Sequence, residues 1–171
     1  MSSNNPFVEA YYNGLNAITI KTQNEFQEII QTLNDRLKCN YNIDKIIVYR
    51  SISSDLKKYL ESNNITIKPA SNLVMCKEGP TYTLNFSKYN KLPELREKYL
   101  LLYEQKIEKQ IQNVLETCKK PYNQGKKKFT YYGSLLRKTE HRLVNEYGLT
   151  FDYVAGTQRE PTPAYYFTIN I

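Results

Sequence analysis

A chain of 171 residues has room for one domain or for two small ones sharing a core. The net charge of +7 favours an anionic partner such as nucleic acid. Three dispersed cysteines without a CxxC pair and a single histidine argue against a metal centre, and no run of about 18 apolar residues is present to span a membrane.

Residues 1–16 read as a polar N-terminal arm that docks through Phe7, Tyr11 and Tyr12. The first six residues have neither the basic nor the apolar region of a signal peptide. Residues 17–20, Ala-Ile-Thr-Ile, predict a short strand. Thr22-Gln23-Asn24-Glu25 has the spacing of a capping box. The helix expected after it puts Phe26, Ile29, Ile30, Leu33 and Leu37 on one stripe. Residues 46–52 alternate as a strand. Ser53-Ser54-Asp55 caps a short helix that buries Leu56, Tyr59 and Leu60 and ends at Asn63-Asn64. Residues 65–68 form a strand stopped by Pro69. Lys77-Glu78-Gly79-Pro80 is a hairpin tip, and residues 82–86 are the returning strand.

Pro93 suits the first turn of a long helix reaching about Cys118. Its stripe is Leu95, Tyr99, Leu102, Ile107, Ile111, Val114, Leu115 and Cys118. Residues 121–125 form a loop and 128–132 a strand. Ser134 caps a helix that ends at Gly148. Leu149, Phe151 and Tyr153 alternate as a strand. Residues 156–163 make a second hairpin, and 164–171 a last strand with Phe167, Ile169 and Ile171 inward.

Two stretches about eighty residues apart then read as variants of one pattern. Residues 45–86 and 128–169 are each strand, helix, strand, turn, strand. Each follows a helix with a cysteine near its end, Cys39 and Cys118. The division is an arm at 1–16, a first α/β unit at 17–90 and a second at 91–171, packed as one pseudo-dimer through Leu56, Leu60, Leu136 and Leu143. The chain is then a monomer in dilute solution. Dispersed thiols fit a reducing compartment, so an intracellular protein, cytoplasmic or nuclear, is expected.

Taking residues 18–86 as one unit gives the order β-α-β-α-β-β, with right-handed crossovers covering one face of a mixed sheet. That order resembles the Alba family, small basic proteins that bind RNA and DNA. It also occurs in the C-terminal domain of bacterial translation initiation factor three. Alba-like proteins usually carry a Gly-Arg-Ala-Ile-like turn after the second strand. Here Tyr49-Arg50-Ser51-Ile52 lacks the glycine, Gly133-Ser134-Leu135-Leu136 lacks the arginine, and the basic pair after strand one is reduced to Lys21. The resemblance implies an α+β fold of two β-α-β-α-β-β units, helices on one face of mixed sheets, and pairing as in ribonucleoproteins such as RNase P. It also implies a groove-reaching role for the hairpins at Lys77 and Arg159, which as bare sequence are ordinary charged turns.

Charge is concentrated in one segment. Residues 119–142 carry eight basic residues and one acid, Glu140, so the segment's net charge of +7 equals that of the whole chain. Tyr122, Tyr131 and Tyr132 lie among these charges. Clustered cations neutralise phosphates with counterion release, and aromatic neighbours stack on unpaired bases. The bland alternative is a solvated lysine face. A strand ending where a capped helix begins is expected to bring Lys126, Lys127, Lys128, Arg137 and Lys138 to one surface. The expected contacts to RNA or DNA are Lys21, Arg50, Lys77, Lys119, Lys120, Lys126, Lys127, Lys128, Tyr131, Arg137, Lys138, Arg142 and Arg159.

Catalysis has little support. His141 near Glu140 and Glu146 has no nucleophile in a triad context. Cys118 beside Lys119 and Lys120 has neighbours that lower a thiol pKa, but it sits on an apolar stripe. No glycine-rich phosphate loop occurs. No cofactor, metal or catalytic residue is expected. Two functions are consistent with these features: a non-catalytic RNA or single-stranded nucleic-acid-binding protein of a ribonucleoprotein, or a structural protein of a larger assembly such as a virion.

Overall fold

The computed structural model describes residues 6–70 and 80–170. The elements are α1 (Pro6–Cys39), β1 (Lys45–Tyr49), α2 (Ser54–Ser62), β2 (Thr66–Pro69), β3 (Thr81–Asn85), α3 (Leu92–Asn123), β4 (Lys128–Tyr132), α4 (Arg137–Tyr147), β5 (Leu149–Val154) and β6 (Ala164–Ile169). The chain divides into two compact units, Met1–Leu100 and Leu101–Ile171. The boundary falls inside α3 because Leu92 and Tyr99 are buried in one core while Ile107, Ile111 and Val114 are buried in another.

The first element departs most from expectation. There is no arm at 6–16 and no strand at 17–20; α1 is one 34-residue helix. Apolar residues at 7, 8, 11, 12, 15 and 18 keep the 3.6-residue period of the buried stripe at 26, 29, 33 and 37, and that longer pattern prevails over four β-compatible residues. Pro6 opens the helix, where its missing N–H costs nothing. Thr19 returns its hydroxyl to the Leu15 carbonyl at 3.0 Å, a bond that lets a β-branched polar residue sit mid-helix. Thr22 therefore lies inside the helix, buried, and starts nothing.

In the first unit the strand order is β1-β3-β2, with both pairings antiparallel. Ile46 and Ile67 flank Leu84 on one face. That face packs with Phe26, Ile29, Leu33 and Leu37 of α1 and Leu56 and Leu60 of α2. Ser53 caps α2 as expected, its hydroxyl accepting from the Leu56 N–H at 3.2 Å. Asn63 and the left-handed Asn64 end it. Pro69 is part of β2, an edge strand, where proline does not break a ladder on both sides. Of the hairpin predicted at 77–80, residues 77–79 lie outside the described residues, as does Cys76; β2 and β3 are antiparallel neighbours.

The second unit repeats this arrangement. Its order is β4-β6-β5, again antiparallel throughout, with Phe129 and Phe151 flanking Phe167. The loop at residues 155–163 joins β5 to β6 as a hairpin, closed by Val154 opposite Ala164. Gly148 ends α4 in the left-handed region, φ 65°, and its N–H bonds the Leu143 carbonyl. Ile171 lies outside the described residues.

Each unit is thus α-β-α-β-β rather than β-α-β-α-β-β, and each sheet is antiparallel rather than mixed. The leading strand that the Alba resemblance requires is helical here. Leu56 and Leu60 lie in the first core and Leu143 in the second, with Leu136 packed against it. Leu102, expected on the apolar stripe of α3, is 48% exposed.

Candidate nucleic-acid interface

The basic segment begins in the last turns of α3. Pro121 lies inside that helix, which runs on to Asn123. The chain then folds back sharply. Gly125 takes a left-handed φ of 72°, and the Lys126 N–H bonds the Pro121 carbonyl at 2.9 Å. This compact turn holds Lys119 and Lys120 near Lys126, Lys127 and Lys128, all exposed. The Ile169 N–H bonds the Lys127 carbonyl at 2.8 Å, fixing the turn to β6. No acidic partner within ion-pair distance meets these five lysines among the described residues. Cations at a helix C-terminus also favour the helix dipole, which helps to place them there.

The other half of the segment is different. Arg137 and Lys138 follow β4, whereas Lys126 and Lys127 precede it, so about 16 Å of strand separates the two groups. They lie at opposite ends of β4. Lys138 pairs with Glu104, and Arg142 with Glu108 and Glu146. The bonds to Glu104 and Glu108 hold α4 to α3. The Glu146 carboxylate, bonded at 2.8 Å and 2.9 Å, is the main reason that the Arg142 pKa is raised, and the same contact lowers that of Glu146. Arg50 is engaged in the same way: it pairs with Glu25 at 3.2 Å and Glu28 at 2.6 Å, tying the end of β1 to α1. Lys21 is exposed on α1. Lys77 lies outside the described residues. Arg159 is exposed at the tip of a tight turn, where the Thr157 N–H bonds the Glu160 carbonyl at 2.7 Å.

Ser134 does not cap α4. Leu136 occupies that place without a side-chain bond, and Gln110 of α3 braces the segment instead. Its Oε1 accepts from the Leu136 N–H at 3.0 Å and from the Thr139 hydroxyl at 2.7 Å. Its Nε2 donates to the Ser134 carbonyl at 3.1 Å.

The tyrosines separate by strand parity. Tyr131 shares the inward face with Phe129 and is half-buried against the second core, which withdraws much of its ring from a ligand. Tyr132 points outward and is 69% exposed. Gly133 follows at φ 140°, where a Cβ would meet the Tyr131 ring at 3.3 Å, so only glycine leaves the strand there without strain.

The groups with catalytic possibilities are otherwise engaged. Tyr165 donates to Glu140 at 2.6 Å, Glu146 is held by Arg142, and His141 bonds Asn145 at 2.9 Å on the exposed side of α4. Burial raises the Cys118 pKa and outweighs Lys119, reversing the activation that its neighbours implied. Among the described residues, no helix is long and apolar enough to cross a membrane. No family model matches the chain, and no curated protein and no solved structure matches it.

Proposed function

We propose that the chain binds RNA or single-stranded nucleic acid without catalysing a reaction, as a component of a ribonucleoprotein. One observation carries this reading: five exposed lysines from the end of α3 to the start of β4 have no acidic partner among the described residues, whereas Arg50, Lys138 and Arg142 are neutralised by carboxylates. The shared strand order and register of the two sheets support reading the units as internal copies; a monomer in dilute solution is part of the same proposal.

Electrophoretic shifts with single-stranded RNA, double-stranded RNA and DNA at two salt concentrations test the proposal. Binding is expected at low salt. Changing Lys126, Lys127 and Lys128 together to Glu is expected to abolish it while leaving the circular dichroism spectrum unchanged. Undiminished binding would move the contact elsewhere.

A second reading has its own observation. The apolar stripe of α1 continues past the core through Tyr11, Tyr12, Leu15 and Ile18, which are 64%, 60%, 41% and 48% exposed. A structural protein of a larger assembly would bury such a stripe. Contacts of that kind resist salt, whereas phosphate contacts do not.

A further inference from the structure

The outward face of the second sheet offers something that the lysine turn lacks. Residue pairing places Lys128 opposite Thr168, Thr130 opposite Tyr166, and Tyr132 opposite Ala164. Lys128, Thr130 and Tyr132 alternate with the inward Phe129 and Tyr131, so they face outward with Tyr166. Tyr132 and Tyr166 are 69% and 47% exposed. They are diagonal neighbours on adjacent strands, about 7–8 Å apart. The hydrophobic demand of this sheet is already met on its other face by Phe129, Tyr165 and Phe167. Two bare tyrosine rings therefore share this face with Lys128, which begins the strand about 13 Å from Tyr132.

We propose that this face is a stacking platform for unpaired bases, with Tyr132 and Tyr166 each taking a base and Lys126, Lys127 and Lys128 following the phosphates. The proposal rests on the nucleic-acid reading and deepens it by naming the ligand: a single strand, because bases locked in a duplex have no free face to offer two rings. Charge fixes the path of the strand. Asp152 stands opposite Tyr166 on β5 and repels phosphate, so the backbone is directed along the β4 side, where Lys128 begins the strand. The first sheet has a comparable pair on β1, Lys45 and Tyr49, with Tyr49 52% exposed, but Thr83 stands where the second sheet has Tyr166. Among the described residues, only the second sheet has the two-ring arrangement.

The test measures affinity for a short oligouridine and for a double-stranded RNA of equal length, across a salt series. The proteins are wild type, Tyr132→Leu with Tyr166→Leu, Tyr132→Phe with Tyr166→Phe, and the three lysines changed to Ala. Stacking is worth about 1–3 kcal/mol per base, so the double Leu variant is expected to lose at least tenfold in oligouridine affinity. Its salt slope should be unchanged, and the Phe variant should bind like wild type. The lysine variant should instead show a shallower slope. If wild type binds and the Leu variant matches it, or if duplex binds as well as single strand, the platform is refuted and the lysine reading stands. If wild type binds no nucleic acid at low salt, both readings fall.

Discussion

Gln110 is the side chain that braces the start of α4, because one amide bonds three groups there. Replacing it with Ala leaves the Leu136 N–H and the fully buried Thr139 hydroxyl without their acceptor. The expected cost is about 2–3 kcal/mol, read as a lower urea midpoint with an unchanged m-value. Tyr165 gives a pH prediction. Burial first, and the bond to Glu140 second, raise its phenol pKa above the usual value. A raised phenol contributes stability that is whole below the unfolded value of about 10 and is lost as pH rises beyond it. The Tyr165→Phe variant should therefore be less stable than wild type at pH 8, and the gap should close above pH 10 in urea titrations. A gap that persists across that window would contradict the assignment. Some of this was legible residue by residue. Strand alternation, once Phe129 is inward, assigns Tyr131 inward and Tyr132 outward. The four-residue spacing of Arg142 and Glu146 marks a helical pair. The partners Glu108 and Glu104 were hidden, because they lie more than thirty positions away and only α3–α4 packing brings them near.

At the scale of elements, α1 shows how two valid local signals compete. The capping box at Thr22–Glu25 and the β-branched run before it are real features, but the apolar period that crosses both makes one helix. The same facts yield a prediction. Residues 6–21 are exposed throughout, and Thr22 is the first buried residue of α1. Deleting residues 1–20 should leave the urea midpoint and m-value unchanged, with the Thr22–Glu25 box then starting the shortened helix. A fall in stability of more than about 1 kcal/mol would show that the projecting turns support the core. The caps at Ser53, Asn63 and Gly148 were legible because they depend on neighbours in sequence. The start of α4 was not, since the side chain that braces it comes from another helix.

For the whole molecule, the α+β class and the two strand-helix-strand-strand repeats could be read from hydrophobic period and turn residues. The antiparallel arrangement with β3 and β6 central could not, because strand order depends on pairing between distant segments. The candidate surface follows the same division. The sequence shows the basic segment, but only the fold separates the lysines of the α3–β4 turn from cations that are held by carboxylates. Function therefore rests on whether those lysines meet phosphate. The most direct measurement is the equilibrium affinity for single-stranded RNA as a function of salt. Five phosphate contacts predict a log–log slope of roughly −3 to −4, reduced to roughly −1 to −2 when Lys126, Lys127 and Lys128 are changed together to Ala. A flat slope, or no binding at low salt, would contradict it.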